Sequence, residues 1–221
     1  MLAFLNSSEW TAVALSLKVS VCAVAIILVP SMLLATWLAR STSRFKTCVD
    51  TLIVVPLVLP PVIVGIGLLV LLGNVGQSLA FTWWAAVIAS AIVSMPLLVR
   101  ALRAGIETID PRLGQVATTL GASPFRVWMT ITLPQCWPAL VGGITLAWAR
   151  AIGEFGATLI VAGNIEGKTQ TIPLAMYTHW QVEGRNVWPL ALTSVLIALA
   201  AVFVSEILIR KGRNHKTNAA R

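Results

Sequence analysis

Arg150 and Glu154 are two ionisable side chains inside a long apolar tract, where their types and spacing could do chemistry. They lie four residues apart, so on a helix they share one face and can form an ion pair. Counted from the start of the tract near Ala139, Arg150 lies roughly 16 Å along the helix, near the middle of a bilayer. One interpretation is a polar patch on a pathway or gate, where Arg150 attracts an anion. The alternative is a self-neutralising pair that fixes the helix against its neighbours. We favour this structural alternative, because a paired Arg retains little attraction for a dianion.

The other residues able to support chemistry argue against an enzyme. His179 has no second His, Cys or carboxylate at ligand spacing, so no metal site is predicted. Cys22, Cys48 and Cys136 show neither a disulfide framework nor metal-knuckle spacing. The sequence has no GxxxxGK[ST] pattern, so we do not expect this chain to hydrolyse ATP itself. A membrane-embedded enzyme needs converging acids, bases or nucleophiles, and the apolar tracts offer little beyond the one ion pair.

The composition is that of a membrane protein. Of 221 residues, 57% are hydrophobic and 11% charged, with a mean hydropathy of +0.87. A soluble domain carries about 25% charged residues. Little length remains for a soluble domain, so residues 1–221 are interpreted as a single transmembrane domain. The net charge of +8 sits at the ends of apolar runs, which indicates membrane topology rather than nucleic-acid binding.

Five apolar tracts cover approximately residues 10–38, 49–72, 81–99, 139–162 and 187–209. Each is expected to be a helix, because lipid offers the backbone no hydrogen-bond partners. If the loop after the first tract is cytoplasmic, most of the Lys and Arg residues lie inside, as the positive-inside rule requires. The sequence therefore predicts an all-α polytopic bundle of about five transmembrane helices, with the N-terminus outside and the C-terminus inside. The basic residues placed inside are Arg40, Arg44, Lys46, Arg100, Arg103, Arg112, Arg126, Arg210, Lys211, Arg213, Lys216 and Arg221.

The second tract, VVPLVLPPVIVGIGLLVLLG, is interrupted by Pro and Gly. Proline removes a backbone donor and clashes with the preceding turn, so this helix is expected to be kinked or broken. Such irregular backbone persists in a membrane where protein or a water-filled path covers the freed carbonyls. Pro60, Pro61 and Gly65 are therefore candidates for lining a pathway, and a packing kink is the alternative.

A polar, punctuated segment separates the third and fourth tracts. Asp110-Pro111 is typical of a helix start, and Gly121 of a left-handed helix end. Ser123-Pro124 repeats the start signal, so the segment is predicted to be a helix, a glycine turn and a second helix at the cytoplasmic surface. Between Asp110-Pro111 and Gly121, apolar residues recur at helical spacing and form a stripe. A partner protein or the lipid surface would suit such a stripe, and the physical pattern leaves both open. The stripe comprises Leu113, Val116, Ala117 and Leu120.

The segment resembles the signature loop of ABC importer permeases: Glu-Ala-Ala, three residues, Gly, nine residues, then Ile-x-Leu-Pro. Gln115-Val116-Ala117 stands in place of the triplet, Gly121 follows after three residues, and Ile131, Leu133 and Pro134 follow at the family spacing. Gln115 replaces Glu and Val116 replaces the first Ala, which removes one carboxylate and preserves the stripe. The resemblance implies a coupling loop over about 107–134 that docks on an ATPase subunit. The residues implied in coupling are Leu113, Gln115, Val116, Ala117, Leu120, Gly121, Ala122, Ser123 and Pro124.

Three further stretches resemble the molybdate-type ABC permeases over nearly the whole chain. They are VPLVLPPVIVG, ARAIGEFGAT and GNIEGKTQTIPLAMYT, of which the GEFGA element is shared with sulfate permeases. The combination favours molybdate or tungstate, with a sulfate-type ABC permease as the alternative and an ATP-independent carrier as a weaker one. The resemblance implies a multi-pass protein of a prokaryotic cytoplasmic (inner) membrane that moves its substrate by alternating access.

The same resemblance implies partners. The permease would form a homodimer, bind two ATP-binding cassette ATPase subunits inside, and receive the oxyanion from an external (periplasmic) binding protein. No cofactor is expected in this chain, because ATP and Mg²⁺ would bind to the ATPase.

Overall fold

The computed structural model describes residues 5–75, 79–181, 184 and 186–219, which form helices joined by turns, with no strand among them. Eleven α-helices are described, and a π-helical turn, Trp128–Thr132, lies between α6 and α7. In chain order they are α1 (Ser7–Arg40), α2 (Lys46–Val58), α3 (Pro61–Val75), α4 (Trp83–Glu107), α5 (Pro111–Thr119), α6 (Pro124–Val127), α7 (Leu133–Gln135), α8 (Trp137–Ile152), α9 (Gly156–Val161), α10 (Ile172–Gln181) and α11 (Trp188–Ala219).

The core lies where α1, α4 and α8 pack together. Alanines such as Ala35, Ala85 and Ala147 are fully buried in it, beside Leu38 and Leu98. Small residues let helix backbones approach closely, which drives helix association where lipid removes the hydrophobic driving force. α11 packs chiefly on α8 and leaves most of its apolar surface exposed.

The second tract is broken, as predicted. α2 and α3 meet at a bend of 107°, with Leu59 and Pro60 between them. By length and composition, α1, α4 and α11 each qualify as a membrane span among the described residues, and the bent pair adds a fourth if taken as one span.

The expectation of one helix over residues 139–162 is wrong. α8 ends at Ile152, and a separate short helix, α9, begins at Gly156. The backbone N–H of Ala157, in the first turn of α9, donates to the Glu154 carboxylate at 2.9 Å. A buried carboxylate therefore caps the second helix start, and the apolar composition on both sides hid this break from the sequence analysis.

Candidate functional site

α5 begins and ends, and α6 begins, at the residues that the sequence indicated, whereas the π-helical turn and α7 that follow α6 were not predicted. The Asp110 carboxylate accepts from the N–H of Arg112 at 2.9 Å, and Pro111 is the first residue of α5. Gly121 has φ +85°, the left-handed conformation that ends helices without steric cost in glycine. Ser123 then caps α6 by accepting from the N–H of Arg126 at 3.3 Å. Local side-chain chemistry thus determines this helix, turn and helix.

The outer face of α5 and α6 is apolar and exposed. Leu120 is 83% exposed and Val116 58%, and Leu113, Phe125 and Met129 are also exposed. Ala117 and Ala122 are half-buried, and Gln115, Ser123 and Pro124 are exposed. A contiguous apolar patch rimmed by polar residues is typical of a surface that binds a partner.

The inner side of the same segment is fixed to the bundle. Val127 is buried beneath α5. A guanidinium N–H of Arg40, at the end of α1, donates to the Thr132 hydroxyl at 2.6 Å, and the Trp128 indole donates to the Thr36 hydroxyl at 3.1 Å. Two side-chain hydrogen bonds thus connect this segment to the C-terminal end of α1, the longest helix in the core.

Arg150 and Glu154 form the ion pair that their spacing predicted, with 2.6 Å between a guanidinium nitrogen and a carboxylate oxygen. Glu154 is 2% exposed, whereas the Arg150 side chain retains 26% of its exposure. The second carboxylate oxygen accepts the N–H of Ala157. The carboxylate is thus engaged by a guanidinium and a helix start, which favours the structural interpretation of the pair over anion attraction.

The proline bend lies directly against this break. A Cβ on Gly65 of α3 would lie 2.9 Å from both the Cα and the carbonyl oxygen of Ala157. At Gly156, an added Cβ would lie 3.0 Å from the Cβ of Pro61. Pro60 itself is exposed at the bend. The structure therefore brings together the two regions that the sequence analysis named as pathway or gate candidates.

Two charged clusters escaped the sequence analysis. Arg103 of α4 contacts Asp50 of α2 and Glu107 of its own helix. Glu9 and His179, which lie on α1 and α10, are both buried, with 3.6 Å between a carboxylate oxygen and the imidazole Nδ1. Arg103 and Glu107 are four residues apart, a helical pairing signal, but nothing local to either chain segment indicated the partners on other helices. Among the described residues, no group of three or more His, Cys, Asp or Glu is placed to hold a metal.

Comparison with known proteins gives consistent matches. Residues 31–211 match the family described as "Binding-protein-dependent transport system inner membrane component". The "Molybdenum transport system permease protein ModB" of Escherichia coli K12 is 44% identical over 222 residues, which cover 95% of this chain and 97% of that protein. The protein of the same name from Haemophilus influenzae is 42% identical, over 92% of this chain and 94% of that protein. Among solved structures, a subunit of the inward-facing MetNI methionine ABC transporter superposes with a TM-score of 0.72 at 17% identity, over 93% of this chain and 94% of that one.

Proposed function

Because the chain belongs to the family of binding-protein-dependent transport system inner membrane components, we propose that it is the membrane permease of an importer for molybdate. The observation that carries the substrate class is the 44% identity with a molybdenum transport permease over almost the full length of both chains. Tungstate is a tetrahedral dianion of the same kind and belongs to the same proposal. Transport, rather than catalysis of a covalent reaction, is the function of this subunit.

The proposed assembly contains two copies of this chain with the translocation path between them. Each copy spans the inner membrane five times, with α1 starting outside and α11 ending inside, and α8 with α9 forming the fourth span. An external binding protein delivers the oxyanion. ATP and Mg²⁺ bind to two partner ATPase subunits, and differential nucleotide affinity shifts the population between inward- and outward-facing states.

The exposed stripe of α5 is the proposed docking surface for the ATPase. Its support is the family spacing around Gly121 and the exposure of Leu113, Val116 and Leu120 with no covering helix among the described residues. An amphipathic helix that places one apolar face in a groove is a common mode of recognition. The hydrogen bonds from Arg40 and Trp128 then carry the motion of α5 into the bundle.

The pair Arg150–Glu154 is proposed to fix the break between α8 and α9 at the translocation path. Its support is the depth of Glu154 and the contact of α9 with the proline bend. Since Arg150 is already neutralised, we assign the selection of the anion mainly to the external binding protein.

The test is ATP-driven uptake into proteoliposomes that hold this chain, its ATPase and its binding protein. Molybdate and sulfate are compared for the wild type and for Val116→Glu, which places a charge on the exposed stripe. We expect molybdate uptake to exceed sulfate uptake, and to fall about tenfold or more in Val116→Glu, because a buried unpaired charge costs several kcal/mol at an interface.

The matched control is Gln115→Glu, which adds the same charge one residue earlier, toward the cavity behind α5 that Gln115 lines. It also restores the residue type of the family signature, so uptake should stay near the wild-type rate. Uptake indifferent to ATP and to Val116→Glu would favour an ATP-independent carrier. Preference for sulfate would favour the sulfate-type permease.

A further inference from the structure

α2 is weakly packed for a helix so near the centre of the proposed mechanism. None of its residues is buried, and its principal neighbours are α4 and, across the bend, α3. Val49 and Ile53 contact the core only from partly buried positions. With little apolar packing on it, the position of α2 depends strongly on its polar contacts.

Arg103 supplies those contacts from α4. One terminal guanidinium nitrogen lies 2.8 Å from an Asp50 oxygen on α2, and Nε lies 2.8 Å from a Glu107 oxygen. Lys46, at the start of α2, lies 4.0 Å from the same Glu107 oxygen. All four side chains keep part of their exposure. The planar guanidinium fork suits this geometry, because it can hold one carboxylate in each helix at the same time.

This cluster lies between the docking surface and the proline bend. α4 ends at Glu107, and α5 begins at Pro111. Glu107, Asp110 and Pro111 line one cavity of about 500 Å³ behind α5, so the last turn of α4 adjoins the docking helix. In the other direction, α2 runs from Asp50 to the bend, where α3 contacts α9 beside Glu154.

We propose that the Asp50–Arg103 ion pair is the contact that transmits movement of α5 to the bent α2–α3 unit. This rests on the proposed function, since it concerns how the ATPase drives the same permease. Arg103 is a positioning residue in this proposal. When the ATPase displaces α5 and the end of α4, Arg103 carries α2 with it, and α3 shifts against α9. Without the pair, α2 has no buried side chain that compels it to follow.

The neighbouring carboxylates provide a matched pair of variants. Asp50→Asn removes the 2.8 Å charge contact between α2 and α4. Glu107→Gln removes the contact within α4 and the longer 4.0 Å contact with Lys46, and it leaves the Asp50–Arg103 pair in place. In proteoliposomes with ATPase and binding protein, molybdate uptake and ATP hydrolysis are measured on the same sample. We expect Asp50→Asn to keep ATP hydrolysis near the wild-type rate and to lower uptake per ATP about fivefold or more, the scale of a typical coupling energy. Glu107→Gln should stay within about twofold of the wild type, since an exposed pair within one helix and a 4.0 Å pair at the surface both contribute little. Asp50→Glu should recover most of the lost coupling.

The result that overturns the proposal is a wild-type ratio of uptake to hydrolysis in Asp50→Asn. A parallel fall in uptake and hydrolysis also overturns it, because that pattern indicates a contact needed only for folding or assembly. If Asp50→Asn does not assemble, Arg103→Lys is used instead, because lysine keeps the charge but cannot bridge both carboxylates. An unchanged ratio of uptake to hydrolysis in Arg103→Lys also contradicts the proposal. If the wild type moves no molybdate, the proposed function fails, whatever the variants do.

Discussion

The Glu154 carboxylate connects two helices through two kinds of contact. It pairs with Arg150 at the end of α8 and accepts a backbone N–H at the start of α9. Removing one partner of a buried ion pair destabilises a protein by more than the intact pair stabilises it, because the remaining charge is left without a counter-charge. The residue therefore stabilises a break in a helix that hydropathy alone would make continuous.

Glu154→Gln should destabilise the protein. Glutamine keeps an oxygen for the Ala157 N–H but leaves Arg150 without its counter-charge. We expect a loss of roughly 2 kcal/mol, less than for a fully buried pair because Arg150 is partly exposed. A thermal unfolding curve in detergent, read as a decrease in Tm, measures it.

The control for this variant is Glu206→Gln, which makes the same chemical change at an exposed position of α11 and should leave the Tm unchanged. A wild-type Tm in Glu154→Gln with unchanged uptake would show that the ion pair does not stabilise the break between α8 and α9. A wild-type Tm with lost uptake would instead favour a direct role on the path.

Sequence reasoning worked best for residues whose partners are local. Asp110, Gly121 and Ser123 act within three residues of themselves, and the Arg150–Glu154 pair follows from helical spacing. It failed where partners are distant in the chain, because nothing near Asp50 indicates that α4 will bring Arg103 within 2.8 Å. The proximity of His179 to Glu9 on α1 was missed for the same reason.

At the scale of elements, the bend between α2 and α3 lies against the break between α8 and α9. Proline chemistry predicted the break, but neither its angle of 107° nor the packing of α3 against α9 has a signature in either segment. α10 was not expected either, because the polar residues between the fourth and fifth apolar tracts concealed its buried Ile172 and Leu174. Continuous apolar composition likewise concealed the end of α8.

The approach of α3 to α9 can be tested with two glycines on one helix. Gly65→Ala places a methyl group 2.9 Å from backbone atoms of Ala157, which cannot rotate away. We expect a destabilisation of about 1–3 kcal/mol from overpacking. Gly67→Ala meets nothing within 4 Å and should be neutral or stabilising by up to about 1 kcal/mol, as alanine is the better helix former.

Thermal unfolding of both variants in the same detergent measures the difference. Equal Tm values for the two variants would contradict the close contact of α3 with α9. Uptake is measured as well. If Gly65→Ala displaces α3, we expect the uptake rate per folded protein to fall in that variant and not in Gly67→Ala.

At the scale of the whole molecule, the core and the periphery follow different rules. α1 and α4 bury small residues against each other, whereas only 6% of the most apolar stretch of α11 is buried. The outward surface of α11 therefore requires lipid or another subunit, which agrees with a membrane-embedded permease. Composition predicted this apolar environment, whereas the break between α8 and α9 is evident only in the structure.

The proposed orientation can be tested with a natural cysteine. Cys48 is exposed near the start of α2 and lies on the cytoplasmic side in this topology, whereas Cys136 is buried and Cys22 is partly covered. After replacement of Cys22 and Cys136 by Ala, a membrane-impermeant maleimide should leave Cys48 unlabelled in right-side-out vesicles and label it after permeabilisation.

The control is Lys168→Cys in a chain that lacks the three natural cysteines. Lys168 is exposed between α9 and α10, which lies outside in the proposed topology. It should react in intact vesicles. Labelling of Cys48 from the outside, with Lys168→Cys protected, would invert the topology.

The helices that bury α1 are synthesised after it. Ser16, Ser20 and Ser31 on α1 are buried in the finished bundle, yet α1 packs chiefly on α4 and α8, which follow it in the chain after the bent pair. The Ser16 hydroxyl accepts from the N–H of Ile172 at 2.7 Å, so this serine lacks its partner until α10 has been synthesised. We therefore expect the polar face of α1 to stay exposed to lipid or to an insertion factor until the later helices have been inserted.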